Sequence, residues 1–227
     1  ADMSRHYATP YLLDAGYAVF GQEGRWPGND IACIHEILLV DVAAGLKYLR
    51  EERGFQSVVV LGNSGGGSLY AFYLAQAFRS PPARLTTTAA GDAYDLNQIT
   101  LPMADGIVLL AAHLGEGKFL EKAIDPSVTD ESDPLSCDPA LDMYNSENGF
   151  REPPAPSVYS AAFAKEYRAA QKARVVRIDA IARAFVDEQN YFRGLVGDKE
   201  WQKMPPGTQA FTSRRALVGR YMEIHRT

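Results

Sequence analysis

The first half of the chain alternates short apolar runs with longer amphipathic stretches. Residues 17–20, 57–61 and 106–112 are almost continuously apolar, which is typical of strands buried on both faces. The stretch between the first two runs has apolar residues one helical turn apart: Ile34, Leu38, Val42, Leu46 and Leu49. Asn29 or Asp30 is positioned to cap that helix. Because strands alternate with helices, the pattern predicts an α/β fold, with a mostly parallel sheet covered by helices on both faces.

The second half of the chain has a different pattern. Residues 125–156 are rich in Asp, Pro, Ser and Asn without a sustained period, which predicts a long ordered loop or linker. Residues 157–190 return to helical spacing, and no strand pattern follows before the last residue. The predicted organisation is therefore a core over 1–124, a loop or linker over 125–156 and a helical region over 157–227.

Composition and charge narrow the classes of function. The chain has 227 residues, of which 46% are hydrophobic, and a formal net charge of −5. This charge provides no basic surface for phosphate backbones or anionic lipids, so we expect neither a nucleic-acid partner nor a membrane. Cys33 and Cys137 fit neither a zinc site nor a disulfide framework. We expect a cytoplasmic protein without a bound metal or cofactor.

One glycine-rich segment carries candidate chemistry. Residues 62–66 read Gly-Asn-Ser-Gly-Gly, a G-x-S-x-G pattern between the apolar run 57–61 and the apolar stretch 69–74. A strand, a sharp turn and a helix form the context that a nucleophile elbow requires, so Ser64 is the candidate nucleophile. A plain glycine turn is the alternative. A dinucleotide-binding loop is another, although the spacing is not G-x-G-x-x-G and no P-loop lysine follows.

Four residues could line a substrate pocket near the carboxyl ends of the predicted strands. His113 ends the run 106–112, at the edge where parallel sheets collect their ligands. Arg25 and Trp26 follow the run 17–20, and Asn63 lies inside the serine motif. His113 and Trp26 could equally pack against the protein itself.

Over roughly residues 7–113, the chain resembles the α/β-hydrolase superfamily. The matching segments are Ala-Gly-Tyr-Ala-Val-Phe at 15–20, the helix at 41–49, and Val-Val-Val-Leu-Gly-Asn-Ser-Gly-Gly at 58–66. The resemblance implies an oxyanion hole made partly by the N–H of Gly65, with a helical cap after residue 157. It also implies hydrolysis of a small-molecule ester, most plausibly a carboxylic ester. The sequence leaves open whether the protein forms a homo-oligomer. A non-catalytic hydrolase-like binding protein is an alternative function.

The order of the superfamily, serine then acid then histidine, points to three further residues. Asp125 and Asp130 follow the third predicted strand and are the candidate acids, although Asp125 also suits the start of a turn and Asp130 a solvated charge in a loop. His225 is the only histidine after them and is the candidate base, although it also suits an exposed position. The strand that supplies the second oxyanion donor is not visible in the sequence. The strands that would present the acid and the histidine are not visible either. We therefore expect a fragment, or a chain completed by residues not shown.

Overall fold

A computed structural model describes residues 5–27, 34–89 and 91–217. The protein mixes helix and strand, with 50% helix, 9% strand and a small parallel sheet. The chain divides into two compact units, Ala1–Glu116 and Gly117–Thr227. Asn29, Asp30, Cys33 and His225 lie outside the described residues. Within the described ranges, no helix is both long and apolar enough to span a membrane.

The first unit contains the predicted alternation of helices and strands. Its elements in chain order are α1 (Thr9–Asp14), α2 (His35–Lys47), a π-helical turn (Tyr48–Glu52), β1 (Val59–Asn63), α3 (Gly65–Phe78), a 3-10 helix (Leu96–Gln98) and β2 (Gly106–Leu110). The strands predicted over 57–61 and 106–112 are confirmed, with slightly shifted ends. The helix predicted around Leu38 and Leu46 is also confirmed.

Strands β1 and β2 lie side by side and run parallel. Val59 is opposite Gly106 and Asn63 is opposite Leu110. The ladder continues by one more hydrogen bond, since the N–H of Ser64 donates to the Leu110 carbonyl at 2.9 Å. Because parallel strands end at the same edge of a sheet, the residues that follow β1 and β2 come together there.

Residues of α2, β1 and α3 form the core of the first unit. Leu39, Leu46, Val60 and Tyr73 are buried against one another. Tyr73 is fully buried, and its hydroxyl donates to the Pro102 carbonyl at 2.6 Å. Burial raises the pKa of Tyr73 well above its usual value, so this hydroxyl stays a donor at any physiological pH.

The strand predicted over residues 17–20 is wrong, because no strand forms there. The N–H of Tyr17 instead donates to the Leu12 carbonyl and closes the end of α1. Phe20 packs against the ring of Tyr48 rather than in a sheet. In β2, Val108 and Leu109 are 44% and 56% exposed. The described residues therefore show a small parallel sheet and not the full α/β-hydrolase fold.

The second unit contains a hairpin and two longer helices. Its elements are α4 (Glu116–Ala123, which begins at the last residue of the first unit), β3 (Val128–Asp130), β4 (Asp133–Cys137), α5 (Ala161–Val196) and α6 (Pro206–Leu217). The helix predicted over 157–190 is confirmed and extends further. Its first turn is capped by Ser160, whose hydroxyl accepts from the Phe163 N–H at 3.0 Å. The loop predicted over 125–156 contains a short hairpin that the sequence did not indicate, because β3 and β4 pair antiparallel there.

Candidate functional site

Ser64 lies at a sharp corner between β1 and α3. Its backbone has φ 53° and ψ −120°, and it is one of two non-glycine residues with positive φ in the described ranges. The other is Ala111, directly after β2, with φ 47°. L-residues rarely adopt such angles, and strained residues of this kind concentrate at functional sites. Ser64 is also exposed, so its hydroxyl is accessible at the carboxyl edge of the sheet.

The glycines around Ser64 let the chain fold this tightly. A Cβ on Gly62 would lie 2.5 Å from the Gly66 carbonyl oxygen, and a Cβ on Gly67 would lie 2.4 Å from the Cβ of Ala112. Both positions therefore exclude any side chain. Gly66, the second glycine of the motif, has open space where a Cβ would stand. The close approach predicted for the elbow is thus enforced at Gly62 and Gly67.

The N-terminus of α3 lies directly behind Ser64. The first N–H groups of a helix have no helical acceptors, and Gly65 and Gly66 occupy these positions. Gly67 already donates to the Ser64 carbonyl at 3.1 Å, which closes the turn. Oriented N–H groups at a helix start stabilise negative charge, so this corner is suited to an oxyanion next to the Ser64 hydroxyl.

His113 is brought to the same corner by the pairing of the strands. It follows β2 three residues after Leu110, the residue opposite Asn63. Its Nε2 lies 3.4 Å from the position that a Cβ on Gly65 would occupy. Its Nδ1 accepts a hydrogen bond from the N–H of Gly115 at 3.1 Å. The structure thus places His113 beside the elbow, as expected for a pocket residue, while its role there remains a prediction.

Asn63 contacts a residue that the sequence did not single out. The hydroxyl of Tyr7 donates to the Asn63 Oδ1 at 3.2 Å and so ties the segment before α1 to the elbow. A tyrosine in a polar N-terminal segment carries no periodic signal, so only the three-dimensional structure shows this contact. Tyr7 is therefore an additional member of the candidate site.

Arg25 is held by an ion pair with α2. Its Nη2 lies 2.5 Å from the Asp41 Oδ1, and its backbone N–H donates to the Asp41 Oδ2 at 2.9 Å. Burial opposes ionisation of Asp41, but the hydrogen bonds from Arg25 outweigh it and lower the pKa of the carboxyl. The guanidinium also lies 5.8 Å from the ring centre of Trp26. Arg25 thus holds its loop to α2, and a pocket role for Arg25 and Trp26 remains a prediction.

The candidate acids both stabilise turns in the second unit. Asp125 Oδ1 accepts from the Ser127 N–H at 2.9 Å, and Asp130 Oδ1 accepts from the Ser132 N–H at 2.8 Å. A further bond from the Ser132 hydroxyl contributes most to lowering the pKa of Asp130. The turn at Asp125 agrees with the alternative considered for that residue, and the assignment of both residues as triad acids remains a prediction. The same holds for His225 as the base.

The described residues contain no group of three or more His, Cys, Asp or Glu side chains that could hold a metal ion. Comparison with known proteins finds no matching family model, curated protein or solved structure. The interpretation of the site therefore depends on the residues and geometry described above.

Proposed function

We propose that this protein is a serine hydrolase of the α/β-hydrolase type that cleaves small carboxylic esters through an acyl-enzyme on Ser64. The backbone of Ser64 carries the proposal, because φ 53° and ψ −120° occur at an exposed serine between a parallel strand and a helix. A plain glycine turn has no need to place this strain on the serine itself. A nucleophile elbow requires strain at the serine, since the strained backbone projects the hydroxyl away from the chain.

The proposed reaction uses the corner as follows. The Ser64 Oγ attacks the carbonyl carbon of the ester, a C–O bond forms, and the π electrons move onto the carbonyl oxygen. The proton of Ser64 passes to an imidazole base, for which His225 is the predicted residue, with Asp125 or Asp130 as its predicted partner. The N–H of Gly65 stabilises the oxyanion. When the intermediate collapses, the ester C–O bond breaks and the alcohol leaves with the proton, and water then releases the acid by the same steps.

The second unit has a surface that fits the proposed cap. A cavity there, on and beside the first turns of α5, is lined by Met143, Tyr159, Phe163, Ala164, Tyr167 and Arg168. The hydroxyls of Tyr159 and Tyr167 are bonded to the Met143 carbonyl and sulfur, at 2.8 and 3.4 Å. These bonds fix the two rings, so the cavity has a mostly apolar lining together with the charged side chain of Arg168.

A fluorophosphonate probe tests the nucleophile. It should label the protein and fail to label Ser64→Ala. Ser80→Ala is the matched control, because Ser80 is an exposed serine of the same unit beyond the end of α3, and its labelling should equal that of the wild type. Labelling that persists in a folded Ser64→Ala protein, or an unlabelled wild type, would contradict the proposal. The second result would favour a non-catalytic binding protein.

A further inference from the structure

We infer that His113 donates a hydrogen bond from Nε2–H to the carbonyl oxygen of the substrate, as the second oxyanion donor, and is not the base that takes the Ser64 proton. The inference depends on the proposed function of Ser64. It starts from the hydrogen bond at Nδ1 of His113 and from the position of Nε2 beside Gly65.

The contact at Nδ1 determines where the ring proton is. Nδ1 accepts a hydrogen bond from the Gly115 N–H at 3.1 Å, and a nitrogen that accepts carries no proton. A neutral imidazole has a single N–H, so the proton of His113 is on Nε2. In this tautomer Nε2 donates hydrogen bonds and cannot accept the proton of a serine hydroxyl.

The turn that presents the Gly115 N–H to the ring is encoded locally. Gly115 has φ 106°, a left-handed conformation that glycine adopts without strain. The sequence His-Leu-Gly at 113–115 thus sets both the turn and the tautomer. A residue with a side chain at 115 would be strained there, so the Nδ1 contact depends on this glycine.

The position of Nε2 places the donor beside Gly65. Nε2 lies 3.4 Å from the position of a Cβ on Gly65. Since one bond of about 1.5 Å joins that position to the Cα, Nε2 is within about 5 Å of the Gly65 Cα. The N–H of Gly65 is the first oxyanion donor of the proposed mechanism. A carbonyl oxygen bound at that N–H is therefore within reach of a hydrogen bond from Nε2–H, supplied by the loop after β2.

Two substitutions separate a donor from a base. His113→Ala removes the donor and should lower kcat for a chromogenic ester by about 100- to 1000-fold, the loss seen when one oxyanion donor is removed. His113→Gln keeps an N–H donor but takes up no proton near neutral pH, so kcat should stay within about tenfold of the wild type. The acid limb of its kcat/KM profile should also persist, since the base is another group.

His35→Gln is the matched control. His35 begins α2 and lies 3.8 Å from Glu116, and its replacement should leave kcat unchanged. Equal losses in His113→Ala and His113→Gln, while Ser64 is still labelled by the fluorophosphonate, would overturn the donor role and leave the nucleophile intact. A wild-type protein that is not labelled would overturn both.

A measurement on the unmodified protein tests the inference without any variant. Long-range ¹⁵N–¹H correlation of histidine-labelled protein reports which ring nitrogen of His113 carries the proton. We expect Nε2–H in the free protein, with a downfield shift of that proton when a phosphonate oxygen occupies the oxyanion position. A proton on Nδ1 would overturn the inference.

Discussion

Replacement of Gly67 by alanine should push α3 away from the loop that follows β2. A Cβ at position 67 would lie 2.4 Å from the Ala112 Cβ and 3.2 Å from the Gly62 carbonyl oxygen. Carbon atoms in contact prefer about 3.5–4.0 Å, so the helix has to shift by roughly 1 Å to admit one methyl group. Overpacking of this kind costs about 1–3 kcal/mol, and the better helix propensity of alanine offsets up to about 1 kcal/mol of it. We expect the free energy of unfolding to fall by about 1–2 kcal/mol.

Gly66 provides the matched control in the same helix turn. A Cβ there meets nothing within 4 Å, so Gly66→Ala should leave the free energy of unfolding unchanged or raise it by up to about 1 kcal/mol. Urea unfolding of the two variants measures the contrast, which corresponds to about 2–4 °C in Tm per kcal/mol for a protein of this size. Fluorophosphonate labelling should slow in Gly67→Ala only. Equal stabilities of the two variants would refute the close contact between α3 and the loop at Ala112.

Two further predictions concern packing, one in the first unit and one in the second. Asp41→Asn should cost about 1 kcal/mol at pH 7, whereas Glu51→Gln, which breaks the exposed pair with Lys47, should cost less than about 0.5 kcal/mol. Folding lowers the pKa of Asp41, so the stabilisation from its ion pair is full above the pKa of the unfolded carboxyl. This stabilisation disappears as the pH falls through the pKa of Asp41 in the folded protein. An Asp41→Asn penalty that persists below that pH would contradict the ion pair. Gln171 is 1% exposed and donates to the Lys122 and Ile124 carbonyls at 3.0 and 2.7 Å. Gln171→Leu should cost about 1–3 kcal/mol, because it leaves the Ile124 carbonyl unpaired while the Lys122 carbonyl keeps its bond from Arg168. The exposed neighbour Lys172→Ala should cost less than about 0.5 kcal/mol in the same melts, and similar costs at the two positions would argue against the buried bonds.

The parallel strands and the elbow could be predicted because their signals are local. The runs around Val59 and Val108 are apolar enough to indicate strands, and the glycines between strand and helix indicate a sharp turn. The position of the required glycine could not be predicted. Gly67 is required and Gly66 is not, since the decisive contact is with Ala112, which lies 45 residues further along the chain.

The errors arose where structure depends on polar bonds or on a partner strand. The hairpin of β3 and β4 has no apolar alternation and is held by side chain to backbone bonds, such as Thr129 to the Ser136 carbonyl at 2.9 Å. Conversely, the apolar run 17–20 resembles a strand but forms no strand pairing with the described residues. The hydrogen bond from the Gly115 N–H to the His113 ring could not be predicted either, because no periodicity reveals it.

Mass spectrometry of the protein mixed with a slowly hydrolysed ester tests the Ser64 nucleophile most directly. Quenching in acid within the first turnover should trap an acyl group, and peptide mapping should locate it on Ser64, the strained residue between β1 and α3. The acyl group should disappear as the ester is consumed and should never form on Ser64→Ala. Steady ester turnover without any acyl group on Ser64, or with the acyl group on another residue, would contradict the proposed mechanism.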